Sequence, residues 1–119
     1  MADAFDHALA RFITACPYVV AVRELATKWR IELIGGYMLD LHFNETLGKY
    51  SYALLQSETR ILGWDNAPHH PGLPGFPHHA HRMDGRVVSP GLTGDPGPDL
   101  ETVRREVEAF LASQLQKPN

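Results

Sequence analysis

Residues 29–44 read Trp29-Arg30-Ile31-Glu32-Leu33, then Ile34-Gly35-Gly36, then Tyr37-Met38-Leu39-Asp40-Leu41-His42-Phe43-Asn44. Apolar side chains fall on alternate positions on both sides of Gly35-Gly36, and successive side chains of a β-strand point to opposite faces. Glycine takes positive φ at no steric cost, so a Gly-Gly pair between two alternating runs predicts a hairpin. The alternation continues beyond it. After a turn at Asn44 to Gly48, Tyr50, Tyr52 and Leu54 oppose Ser51, Ala53 and Leu55, and Glu58-Thr59 reverses the chain into Arg60 to Asp65. Connections this short join neighbouring strands, so the centre of the fold is an antiparallel meander.

The flanks have a different period. Asp3 is placed to cap a helix in which Phe5, Leu9, Phe12, Ile13 and Cys16 recur at helical spacing before Pro17 ends it. Asp99 is read as the cap of a second helix carrying Leu100, Val103, Val107, Phe110, Leu111 and Leu115 on one face, with Glu101 and Arg105 ordered for an i,i+4 pair. From Tyr18 to Lys28 the signals mix: Val19, Val20 and Val22 favour a strand, Arg23 to Ala26 a helix, and the reading leans to helix. Asp84-Gly85, between Arg82-Met83 and Arg86-Val87-Val88, predicts a small further hairpin, and Gly91 to Pro98 a loop. The expectation is a single α+β domain over 1–119, with an antiparallel sheet of about four to five strands flanked by N-terminal and C-terminal amphipathic helices.

With 119 residues, 44% hydrophobic and 21% charged, there is room for one core. The net charge of -3 supplies no global attraction to nucleic acid, so RNA binding would rest on a local patch. Cys16, the one cysteine, excludes an internal disulfide and multi-cysteine zinc sites, and is expected to be a small buried apolar residue. The acidic start Met1 to Asp6 lacks the apolar run of a secretory signal, and no stretch is long and apolar enough to cross a bilayer. A cytoplasmic protein without membrane association is expected.

Chemistry concentrates at 64–82. Trp64-Asp65-Asn66-Ala67-Pro68-His69-His70-Pro71 is followed by Phe76-Pro77-His78-His79-Ala80-His81, which together hold five of the 7 histidines. Histidine titrates near neutrality and is the commonest metal ligand. Pro68, Pro71, Pro74 and Pro77 recur at every third residue, the period of polyproline II. Were the segment extended, His69 and His78 would lie roughly 28 Å apart at about 3.1 Å per residue, too far to share a reacting atom. One site therefore requires a bend, and Gly72 and Gly75 permit it. His7 and His42 stand apart and are expected on the surface or a sheet face.

At these residues the sequence resembles the TumE toxin family, small proteins encoded beside a helix-turn-helix antitoxin. The resemblance rests on 64–71, on 76–81, and on Lys49-Tyr50-Ser51-Tyr52, which is similar to the family's Tyr-x-Tyr strand. Where that family tends to carry Lys between its last two histidines this chain has Ala80, losing a cation that could meet phosphate. The resemblance implies a toxin that arrests growth through RNA or the ribosome, with the antitoxin as its partner.

Three readings follow. In the first, the chain is a metal-independent endoribonuclease: two of His69, His70, His78, His79 and His81 divide the work of base and acid, and Asp65 orients one imidazole. Arg60, Arg82 or Arg86 would then stabilise charge on the phosphate, with Trp64 and Asn66 as further substrate contacts. In the second, the segment is a non-catalytic protein- or RNA-binding module, and Trp64 simply packs in the core. In the third, His79 and His81, two apart on one face of an extended segment, join Asp65 to hold zinc or another transition metal. An exposed sheet edge would also offer a route to homodimerisation.

Overall fold

The computed structural model describes residues 3–115, so the ends of the expected 1–119 domain lie outside the described residues. Helix α1 (Ala4–Ala15) begins at Asp3, whose carboxylate accepts from the Asp6 backbone N–H at 2.8 Å, as its sequence predicts. Strands β1 (Val19–Glu24), β2 (Trp29–Leu33), β3 (Tyr37–Asn44), β4 (Lys49–Gln56), β5 (Thr59–Asp65), β6 (His79–His81) and β7 (Val87–Val88) follow, and helix α2 (Pro96–Leu115) closes the chain. The strands form one antiparallel sheet in sequence order, β1 to β7. No helix among the described residues is long and apolar enough to cross a membrane.

The sheet has seven strands rather than four or five. One addition is β1, where the leaning towards helix fails. Its β-branched valines settle the segment against β2, with Val22 opposite Ile31 and Glu24 opposite Trp29, a gain available only once β2 is in place. The other additions are β6 and β7, a short hairpin around Asp84-Gly85 that pairs onto β5. The Gly-Gly connection forms as read: Gly35 and Gly36 sit at φ 83 and 81, where a Cβ would be strained, and Leu33 pairs with Tyr37 across them.

Both helices cover one face of the sheet. Phe5, Leu9 and Phe12 from α1 and Leu100, Val103, Val107 and Leu111 from α2 are buried with Ile31, Leu39, Leu41, Tyr52, Leu54 and Trp64, and Cys16 is buried as expected. Leu115, assigned to the apolar face of α2, is exposed. The cap of α2 is also displaced: the helix starts at Pro96, and Asp95 accepts from Gly97 N–H. Asp99 instead lies buried inside the first turn, its carboxylate accepting from the Thr93 N–H, the Thr93 hydroxyl and the Gly94 N–H. It holds the preceding loop against the helix, a tertiary role that local spacing does not reveal.

Candidate functional site

The alternation that buries Tyr52, Leu54, Leu62 and Trp64 against the helices directs Ser51, Ala53, Gly63 and Asp65 to the other, helix-free face. Cross-strand register then decides which of the segment's residues join them. Asp65 is opposite His79, Trp64 opposite Ala80 and Gly63 opposite His81, so Asp65, His79 and His81 share that face while Trp64 and Ala80 face the core.

The segment reaches β6 by turning, not by extending. His70 C=O accepts from Leu73 N–H, Leu73 C=O from Phe76 N–H, and Gly75 C=O from His78 N–H, each at 3.1 Å. In the first two turns Pro71 and Pro74 occupy the second position, where a φ near -65° is already correct, and Gly75 takes φ 82 in the third position of its turn. The three-residue proline period is thus a period of tight turns. It brings both ends of the segment together: the ring centroids of His70 and His79 are 4.7 Å apart, those of His79 and His81 4.8 Å, and those of His70 and His81 6.3 Å.

Within the cluster the rings have different surroundings. His79 is buried, 2% exposed, with Nδ1 3.1 Å from the Pro77 carbonyl and Nε2 2.6 Å from Asp65 Oδ1. A carbonyl can only accept, and an ionised carboxylate accepts as well, so both ring nitrogens of His79 face acceptors. His81 differs. Its Nε2 lies 3.6 Å from Asp65 Oδ2, beyond hydrogen-bond length. Burial, with the Arg60 charge next, lowers its pKa below the ordinary 6.5 and favours the neutral ring. Two neighbouring imidazoles therefore sit in different surroundings, His79 between two acceptors and His81 buried beside the Arg60 charge.

The other expected residues are elsewhere. His78 leaves the cluster and stacks on Tyr50, whose hydroxyl is 2.9 Å from its Nδ1. Burial first, then the Asp99 and Asp65 charges, push the Tyr50 phenol well above its usual range, so its hydroxyl stays protonated. His69 is exposed on the rim of a neighbouring cavity. Trp64, expected to touch substrate, is 1% exposed among the core side chains and donates Nε1–H to Glu106 at 2.6 Å. Asn66 spends both ends of its amide on backbone, accepting from Tyr50 N–H and donating to Gly48 C=O. Arg82 pairs with Glu106 and Arg86 with Asp84, each at 2.7 Å. Arg60 alone of the three arginines stands beside the cluster: its side chain lies over Gly63, where an added Cβ would come within 3.0 Å of Arg60 Cδ. The oxygen and nitrogen donors of Asp65, His79 and His81 lie within 4.8 Å of one another, spacing that a small side-chain adjustment could close around one metal ion.

Six residues outside the segment join this face. His42, Ser51, Lys49 and the Lys28/Arg30 pair on Asp40 occupy the polar positions of the alternation; register carries His42 to Ser51 and Ser51 to Asp65. The alternation was the signal for them, but only strand pairing puts them in a row with the histidines.

A family model described as Toxin TumE matches residues 9–114. No curated protein and no solved structure matches the chain.

Proposed function

Because this chain belongs to the TumE toxin family, we propose that it acts by cutting RNA, with the His70, His79, His81 and Asp65 cluster as its catalytic centre. The observation that carries the reading is the contrast between His79, whose two nitrogens face acceptors, and His81, whose pKa is lowered by burial and the Arg60 charge. Cleavage of RNA by its own 2′-hydroxyl needs a base and an acid, and two histidines in such different surroundings supply them. His81 removes the 2′-hydroxyl proton, the 2′-oxygen forms a bond to phosphorus, and the bond to the 5′-oxygen breaks. His79 gives its Nε2 proton to that leaving oxygen, which takes the place of Asp65 Oδ1 on that nitrogen as the bond breaks. The products are a 2′,3′-cyclic phosphate and a 5′-hydroxyl end, with no other reactant consumed. Asp65 is the positioning residue that balances the His79 charge, and Arg60 meets charge on the phosphoryl oxygens. His70, edge-on to His79, packs the acid in place and borders the reacting phosphate.

A toxin requires an antitoxin; on this reading the helix-turn-helix partner covers the open sheet face and the histidines. A second reading rests on the spacing of Asp65, His79 and His81, which suits zinc or another transition metal. Incubating the purified, tag-free protein with labelled RNA, with and without a chelator, separates the two. Chelator-resistant cleavage leaving cyclic phosphate, lost in His81→Ala and His79→Ala, supports acid–base catalysis. Cleavage that stops with chelator and returns with zinc supports the metal centre, and no cleavage by a protein that still arrests growth refutes both.

A further inference from the structure

A cavity of about 470 Å³ opens beside the histidine cluster, between the ends of β3, β4 and β5 and the loop that follows β5. Asp65 belongs to both: it forms one wall of the cavity and carries the two oxygens that face His79 and His81. His42, Lys49, Ser51, Pro68 and His69 complete most of the lining. The volume falls within the range of small-molecule sites, roughly 300–1,000 Å³.

The lining has a definite polarity. His42 places Nδ1 2.5 Å from the Thr27 carbonyl, which can only accept, so Nδ1 carries a proton and Nε2 is the ring nitrogen left for a ligand. Ser51 adds a hydroxyl that both donates and accepts. Lys49 is exposed and forms no ion pair among the described residues. Asp65 is the one carboxylate in the lining, and it is already paired with His79. Pro68 and the exposed His69 imidazole give flat surfaces against which a base can lie. Strand register sets the distances: His42, Ser51, Asp65 and His79 are successive cross-strand partners, so the row spans about 14 Å at about 4.8 Å per strand.

Resting on the ribonuclease reading, we infer that this cavity is a nucleotide subsite, which holds one residue of single-stranded RNA next to the phosphate being cut. The base lies between Pro68 and His69, with Ser51 and His42 hydrogen-bonding its edge or ribose, and Lys49 pairs with the adjoining phosphate. The subsite orients the strand so that the scissile phosphate lies between His81 and His79.

Anisotropy with a labelled, 2′-O-methylated oligonucleotide of about ten residues measures this directly, since that RNA lacks the attacking hydroxyl. Ser51→Leu, which fills the cavity, should raise Kd about tenfold or more, a loss of about 1.4 kcal/mol. Lys49→Ala alters only an exposed side chain, and should reduce the slope of log Kd against log salt by about 0.7, the loss of one phosphate contact on a single strand. Arg105→Ala, on the far helix, should bind as the wild type does. If Ser51→Leu, Lys49→Ala and His42→Ala all keep wild-type Kd and salt slope while RNA is still cut, the subsite is refuted and the ribonuclease stands. If the variants lose binding but no RNA is ever cut, the subsite stands and the ribonuclease falls. Wild-type protein with no measurable affinity for the oligonucleotide overturns the inference outright.

Discussion

Asp65→Asn should slow RNA cleavage by about 30- to 150-fold without unfolding the protein. Asparagine has nearly the shape of aspartate and can still accept the Ala67 N–H that Asp65 Oδ1 takes at 3.2 Å. What disappears is the negative charge 2.6 Å from His79 Nε2, on which the proposed acid role of His79 depends. Two unit charges about 4 Å apart attract by about 4 kcal/mol at an effective dielectric of about 20, and by about 1 kcal/mol in bulk water. The His79 side chain is 2% exposed and that of Asp65 21%, so the pair lies between those limits, at about 2–3 kcal/mol. Each 1.36 kcal/mol is about tenfold in rate, which gives the stated range. Single-turnover cleavage of a 5′-labelled RNA by purified protein reads the effect, with circular dichroism and thermal melting as checks on the fold. A variant that cuts within about threefold of wild type while melting normally would refute the assignment of His79 as an acid held by Asp65.

Arg60→Ala should move the titration of the base. His81 is held below 6.5 by burial and by the Arg60 charge, so the cleavage rate should persist below pH 6.5, and removing Arg60 should shift that limb upward; an NMR titration of His81 checks the same shift. Because the folded protein binds that proton less readily than the unfolded chain, the His81 contribution to stability is complete above pH 6.5 and declines as pH falls towards the folded value. Asp40→Ala should lower Tm by about 8 °C: Asp40 is buried between Arg30 at 2.8 Å and Lys28 at 2.7 Å, and its removal strands two half-buried cations at about 2 kcal/mol. Burial alone would raise the Asp40 pKa, but Arg30 and Lys28 outweigh it and hold it below 3.8, so this stability is present above about pH 3.8 and lost as pH falls through the lower folded value. An unchanged melting curve for Asp40→Ala would contradict the ion-pair account of that face.

The sheet was legible because period-two alternation from Trp29 to Asp65 is a local property, and the turns that pin its register are written in Gly35-Gly36 and in the residues around Gly48. β1 was not, because its valines acquire a partner only through β2. Asp99 sits at a helix start, yet it spends its carboxylate on Thr93 and Gly94, which only the folded loop brings to it. The histidine segment shows the same division. Its glycines announced a bend, but a proline every third residue fits both an extended ribbon and consecutive tight turns, and pairing of His79 with Asp65 decides between them. The two-residue spacing of His79 and His81 set them apart from His78, and the register with β5 puts that pair on the face of Asp65.

Expression of the toxin without its antitoxin, followed by sequencing of RNA ends bearing 2′,3′-cyclic phosphate, tests the catalytic assignment most directly. The wild-type chain should arrest growth and accumulate such ends, and His81→Ala at equal abundance should do neither. Growth arrest by His81→Ala equal to wild type, or arrest by wild type with no new cyclic-phosphate ends, would contradict it.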